Sequence, residues 1–210
     1  MSHKLHPNKL GRKVRTVLFD LGNVLVRLQP EMMTKTLGAE GIGEIARYEK
    51  SVHEYVRRYE RGELLTDQVM GLLYDLFHRK YSQEMIRGAF LSIIGRPIEG
   101  MDELIRRVAQ SAHVALVSNT NDLHYEYCRR AVPALRFLPH HYLSFQIGAV
   151  KPEPEFYQYI INDLEIDPAQ ILFIDDIETN LVGAEKSGFR PYKFSSVEEL
   201  RTALKALGLM

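Results

Sequence analysis

Four short segments between Val17 and Asp176 each put a reactive residue at the end of an apolar run. Val17-Leu18-Phe19 runs into Asp20, Leu116-Val117 into Ser118-Asn119-Thr120, and Phe173-Ile174 into Asp175-Asp176; the remaining segment is Lys151-Pro152-Glu153-Pro154. A carboxylate such as Asp20 can attack phosphorus to form an aspartyl-phosphate. That attack brings two anions together, so the phosphoryl charge must be relieved. Lys151 offers a positive charge, and Pro152 favours extended backbone before it. Ser118 offers a hydroxyl and Asn119 a backbone amide to phosphoryl oxygens. Asp175 and Asp176 repel one another at a buried strand end unless a cation or donor neutralises them. A Mg²⁺ ion accepts a few carboxylates together with substrate phosphate oxygens. Taken singly, Asp20 reads as a turn cap, Ser118-Asn119 as a helix N-cap and Lys151 as a solvated lysine. Together, in this order, they point to phosphoryl transfer.

The elements that must carry these residues alternate. Val14 to Asp20, His113 to Val117, Ile171 to Ile174 and Phe189 to Tyr192 read as strands, the first without polar alternation, as in a strand buried on both faces. A further short strand is expected over Tyr142 to Phe145. Helical stripes lie between them: Met101, Leu104, Ile105 and Val108; about Asp122 to Ala131; Phe156, Ile160 and Leu164; Ile177, Leu181 and Ala184. Ser196 and Glu199 have capping-box spacing before a last helix carrying Val197, Leu200 and Leu204. This alternation predicts an α/β fold, a doubly wound Rossmann-like parallel sheet, in which ligands bind where the carboxyl ends of the strands meet.

From about Glu31 to Ile94 the alternation stops and the pattern is helical, with stripes at Val52, Tyr55, Val56, Tyr59 and at Val69, Leu72, Leu73, Leu76. Gly62 suits the position after a helix, and Thr66 is expected to cap the next one. The expected division is therefore a core of residues 14–28 and 96–210 with a helical cap inserted over 29–95. Such a cap sets specificity by closing over the substrate. His53, Tyr59, Arg61 and Glu63 lie near its expected mouth, each equally well read as a surface or packing residue.

Composition narrows the field. The 210 residues are 45% hydrophobic and carry 27 basic and 27 acidic side chains, so no overall field favours nucleic acid or an anionic membrane. No apolar run approaches the roughly 20 residues that span a bilayer. A single cysteine, Cys128, excludes an internal disulfide framework and suits a cytoplasmic setting; it reads as a packed thiol. His140-His141 lacks a suitably spaced third ligand. Lys4, Lys9, Arg12 and Lys13 form a basic tail without a secretory h-region. The expected partner is a small phosphorylated molecule, and the expected state a monomer or weak homodimer.

From about residue 14 to the end the chain resembles the haloacid dehalogenase-like hydrolase superfamily. Phe19-Asp20-Leu21-Gly22-Asn23-Val24 matches its first motif, Ser118-Asn119-Thr120 the second, Lys151-Pro152 the third and Asp175-Asp176 the fourth. With Glu60-Arg61-Gly62-Glu63 in the cap, the wording is most similar to bacterial sugar-phosphate phosphatases of the glucose-1-phosphatase type, and also to the phosphatase domain fused to some epoxide hydrolases. The resemblance implies Asp20 as nucleophile and Mg²⁺ ligand, the Gly22 carbonyl as a second ligand, and Asp176 as the principal late ligand with Asp175 supporting it. Ser118 and the Asn119 amide would hold the phosphoryl group, Lys151 would neutralise it and orient Asp20, and Asn180 would hydrogen-bond nearby.

One position departs from the pattern. Most phosphatases of the superfamily carry a general acid-base Asp two residues after the nucleophile, where this chain has Gly22. That function is typically worth about 10²–10⁴-fold. Without compensation by a cap residue or a water, turnover would favour activated phosphates over simple alkyl ones. Asp122 and His124 follow the second motif but read as residues of a solvated helix. Metal-independent carbon–halogen hydrolysis is a competing reading, since dehalogenases also lack that Asp, though the Asp175-Asp176 pair argues for a metal. A non-catalytic binding protein on the same fold is the other.

Overall fold

The structure is a computed structural model, and it describes residues 13–38, 43 and 46–210. Of the basic tail, Lys4, Lys9 and Arg12 lie outside the described residues, while Lys13 is exposed. Five strands form one all-parallel sheet: β1 (Thr16–Phe19), β4 (His113–Ser118), β5 (His140–Leu143), β6 (Ile171–Asp175) and β7 (Arg190–Lys193). Their order across the sheet is β5-β4-β1-β6-β7. The chain moves outward from β1 to β4 and β5, then returns to β6 on the other side of β1. The carboxyl end of β1 is thus flanked by the ends of β4 and β6, the arrangement in which an open α/β sheet forms its binding crevice.

Strand alternation builds a core on each face. Val17 and Phe19 of β1, Val114 and Leu116 of β4, and Leu172 and Ile174 of β6 face one side. There they meet α5 (Met101–Val108) and α10 (Val197–Ala206). Leu18, Ala115, Val117, Ile171 and Phe173 face the other side, against α8 (Pro154–Leu164) and α9 (Glu178–Lys186). Phe173, Tyr157 and Phe189 pack there as a trio with ring centroids 5.8–6.4 Å apart. With both faces covered, the strands need no polar alternation, which is why they read as unbroken apolar runs.

Between β1 and β4 the chain leaves the sheet through β2 (Val26–Leu28) and returns through β3 (Ile94–Pro97); these two strands pair antiparallel as a separate ribbon. The described helices between them are α1 (Glu31–Thr36), α2 (Glu49–Glu60), α3 (Thr66–Leu76) and α4 (Gln83–Leu91). They share a core that includes Met33, Val52, Tyr59, Leu73, Phe77 and Phe90.

Several local expectations need correction. The strand expected over Tyr142 to Phe145 ends at Leu143, and Ser144–Ile147 form a helical turn, α7, closed by Gly148 at φ +80°. Ser144 is buried and its hydroxyl exchanges hydrogen bonds with both the N–H and the C=O of Thr120, tying this turn to the end of β4. Thr66 does not cap α3. The helix starts after Leu65, whose N–H donates to Gln68 Oε1, and the Thr66 hydroxyl donates to the Asp122 carboxylate. The capping box of α10 is only half formed. Ser196 Oγ accepts from the Glu199 N–H at 3.3 Å, but the Glu199 carboxylate accepts from Ser195 instead.

Candidate active site

The loop endings converge on Lys151. Its side chain is buried beneath the carboxyl end of the sheet, where Nζ donates to Asp20 Oδ1 at 2.8 Å and to Asp175 Oδ2 at 2.7 Å. It also lies 5.6 Å above the Phe173 ring, so the ammonium is seated on the aromatic core of one sheet face. Its backbone is fixed by Asn119, whose side-chain amide donates to the Lys151 C=O and accepts from the Lys151 N–H. With the Asn119 side chain so engaged, its backbone amide is what remains to meet a substrate. A clamp between the ends of two segments far apart in sequence is something spacing cannot reveal.

Asp20 is buried immediately after β1, and its N–H donates to the Ile174 C=O. Burial pushes its carboxyl up to about 7 despite the attraction of Lys151, with Asp175 adding to the rise. Asp175 is wholly buried, and its oxygens accept from Lys151, from Asn180 Nδ2 and from the Ile177 N–H. Asp176 is more open, and one oxygen accepts from Asn23 Nδ2 at 3.0 Å. Burial raises its carboxyl too, and Asn23 opposes the rise. Asn23 adopts φ +53° in the turn after β1, and its Oδ1 accepts the Leu28 N–H, so one side chain joins the first loop, the ribbon and Asp176. In the sequence Asn23 stood out only as a member of the first motif.

Asp20, Asp175 and Asp176 each offer a carboxylate oxygen within 4.8 Å of the others. Three acids gather here around one lysine. A divalent cation is what such a donor set accommodates, and all oxygen donors suit a hard ion such as Mg²⁺. Asp175 has its oxygens engaged by the protein, so Asp176 is the more available ligand of the pair.

Against the first and second motifs lies a cavity of about 330 Å³ between sheet and helices. Gly22, Ser118 and Asn119 line it from the sheet side, and Met33, Val56 and Glu60 from the helices. Ser118 is buried at the end of β4. At Gly22 a Cβ would sit 2.7 Å from Leu28 Cδ1, so Leu28 occupies the place where a side chain would begin.

Asp122 and His124 are not on a solvated face. They open α6 (Asp122–Ala131), capped by Asn121, and both look toward the cap. Asp122 accepts from the hydroxyls of Tyr59 and Thr66. His124 stacks on Phe90 at 5.5 Å, its Nε2 bonds to the Phe90 C=O, and burial lowers its pKa. Arg57 and Arg61 both pair with Glu153, one residue past Pro152. Gly62, at φ +73°, lies so close to the Phe145 carbonyl that a Cβ would be 2.1 Å from its oxygen. The segment Tyr59-Glu60-Arg61-Gly62 therefore touches the core at three places. Of the four candidate mouth residues, Tyr59 and Arg61 make these contacts, His53 lines the cavity, and Glu63 pairs with Arg58 and Arg61. Cys128 is packed, with burial pushing its thiol up to about 12.

A doubly wound sheet with a helical excursion after its first strand, and acids at the carboxyl ends of its central strands, is the frame of a hydrolase class. Residues 14–188 match the model of the haloacid dehalogenase-like hydrolases, and the chain belongs to that family. Among its relatives is a D-ribitol-5-phosphate phosphatase of Bacteroides thetaiotaomicron, 25% identical over 202 residues that cover 92% of this chain and 98% of the relative. An (S)-2-haloacid dehalogenase of Burkholderia cepacia is 22% identical over 193 residues, covering 87% and 83%. A solved magnesium complex of a HAD-family enzyme from B. thetaiotaomicron superposes with a TM-score of 0.83 at 25% identity, covering 92% of this chain and all of that one. Among the described residues, no helix is long and apolar enough to cross a membrane.

Proposed function

We propose that this chain is a Mg²⁺-dependent phosphatase that hydrolyses a small, sugar-phosphate-like metabolite through an aspartyl-phosphate on Asp20. The observation that carries the reading is the buried Lys151 ammonium held between Asp20 and Asp175, with Asp176 in the same cluster. The phosphatase from B. thetaiotaomicron and the magnesium complex of its compatriot enzyme support the substrate class and the ion. The acidic cluster favours this reading over metal-independent dehalogenation.

In the proposed reaction Asp20 attacks phosphorus with the oxygen that Lys151 leaves free. Lys151 holds the other oxygen and places its charge beside the transferring group. Ser118 Oγ and the Asn119 backbone amide donate to the phosphoryl oxygens. Water then hydrolyses the aspartyl-phosphate and restores Asp20. Asp20, Asp176 and the Gly22 carbonyl would hold the Mg²⁺ ion, with Asp175 in support, and the bound ion would offset the charge that Lys151 alone leaves unbalanced. Cytoplasmic placement fits the single packed Cys128.

The test is phosphate release from a panel of phosphorylated metabolites, with and without Mg²⁺, by the natural protein and by Asp20→Asn. Metal-dependent release that disappears in the variant is expected. A folded natural protein that releases nothing from alkyl, aryl or acyl phosphates sinks the reading.

A further inference from the structure

The phosphatase reading leaves a proton unassigned. Breaking an alkyl phosphate ester needs an acid for the leaving oxygen, and hydrolysing the intermediate needs a base for water. The position two residues after Asp20 that would supply both is Gly22, with Leu28 against it. We propose that Glu60, at the end of α2, is the general acid and base of this site.

The geometry rests on what surrounds Glu60. It lines the same cavity as Gly22, Ser118 and Asn119, from the opposite wall. Its neighbours in sequence are both anchored: Tyr59 to Asp122, just past the second motif, and Arg61 to Glu153, just past the third. Gly62 abuts Phe145. Glu60 is thus the member of this segment that faces the cavity while its neighbours grip the rim, which fixes it across from Gly22, Ser118 and Asn119. Among the described residues its carboxyl has no hydrogen bond or ion pair, so it is free to exchange a proton with substrate. Lys151 already serves Asp20 and Asp175.

The electrostatics suit an acid that starts protonated. Burial raises the Glu60 carboxyl to about 7, only partly opposed by Lys151. A carboxylate at a helix C-terminus also faces the negative end of the helix dipole. Other titratable groups facing the cavity are His53 on the same helix and His124 on α6. Both ring nitrogens of His124 are engaged, by Asn121 and Phe90.

The steps balance. As the Asp20 oxygen–phosphorus bond forms, the ester phosphorus–oxygen bond breaks, and the Glu60 proton passes to the departing oxygen to give a neutral alcohol. The Glu60 carboxylate then takes a proton from water as the water oxygen attacks phosphorus. The Asp20 oxygen–phosphorus bond breaks, and phosphate leaves with Asp20 as carboxylate and Glu60 as acid again. No further reactant is needed.

This inference rests on the phosphatase reading, and leaving-group dependence tests it separately. Release would be compared on p-nitrophenyl phosphate, acetyl phosphate, glycerol phosphate and ribitol 5-phosphate for the natural protein, Glu60→Gln and Glu60→Asp. The natural protein should show a shallow dependence on leaving-group basicity. Glu60→Gln should lose about 10²–10⁴-fold in kcat/KM on the alkyl esters and much less on the activated ones. It should also give a burst of nitrophenolate, because formation of the intermediate needs no acid while its hydrolysis lacks a base. Glu60→Asp should recover part of the alkyl activity, and all three proteins should share one melting temperature. A steep dependence in the natural protein overturns the proposal without any variant. So does an equal loss of kcat/KM across leaving groups, or no loss, in Glu60→Gln. Absence of release by the natural protein on every ester is a different result, and overturns the phosphatase reading itself.

Discussion

Lys151 holds two buried carboxylates apart by standing between them, and this makes it structural as well as chemical. Removing one partner of a buried charge cluster typically costs about 3–5 kcal/mol, because the remaining charges keep their desolvation and lose their compensation. Lys151→Met should therefore lower the melting temperature and abolish phosphate release, and added Mg²⁺ should restore part of the stability but not the release. Thermal melts with and without the ion check this; an unchanged melt would mean that Asp20 and Asp175 do not depend on the lysine. At this scale the residue types were legible because each closes an apolar run. The partners were not. That Asn119 grips the Lys151 backbone, or that Asn23 reaches Asp176, depends on loops brought together by the sheet. Glu60 left a trace in the sequence: it falls four residues after Val56 and eight after Val52, an acid on the apolar face of its own helix.

Helix α2 is the element on which the site depends most, since it ends at Glu60 with its next turn locked to the core. The Asp122 carboxylate is the hub of one lock, accepting from Tyr59 and Thr66. Asp122→Ala leaves those hydroxyls only each other, 2.6 Å apart, and should cost roughly 1–3 kcal/mol. It should also raise KM, as the wall carrying Glu60 loosens. Thermal melts and substrate titration measure the two effects, and a variant with unaltered KM would show that the lock has no bearing on the cavity. The helix containing Asp122 was readable to its ends, but its exposure was not. Its first turn looks solvated in sequence because the surface that covers it belongs to helices more than thirty residues earlier.

Across the whole molecule the two faces of the sheet do different work. One face carries the aromatic trio on which Lys151 sits, and α9 approaches that trio so closely that a Cβ at Gly183 would lie 2.9 Å from the Tyr157 ring and 3.0 Å from Pro152 Cβ. Gly183→Ala, remote from the cavity, should push on both Tyr157 and the Lys151-Pro152 loop. Overpacking of this kind typically costs about 1–3 kcal/mol, and here it should slow turnover as well. Melting and kcat for the variant test the link; a destabilised protein with unchanged kcat would confine the effect to packing. The parallel sheet was legible because both-face burial writes itself as apolar strands between helical stripes. Gly183 carried no such signal, since close approach of a helix to a tyrosine leaves only a small residue behind.

The paired strands β2 and β3 carry a different consequence. Leu28 pairs with Ile94, so the stretch from Gln29 to Ile93 begins and ends at neighbouring points, about 4.8 Å apart as adjacent strands are. To the sheet that whole stretch is one closed loop, and its length or content makes no demand on where β1 and β4 lie. A lineage can therefore exchange everything above the ribbon as a single cassette. The apparatus for cutting a phosphate ester and the pocket that chooses the ester can be inherited on separate terms, and under the assignment of Glu60, part of the proton chemistry would travel with the pocket.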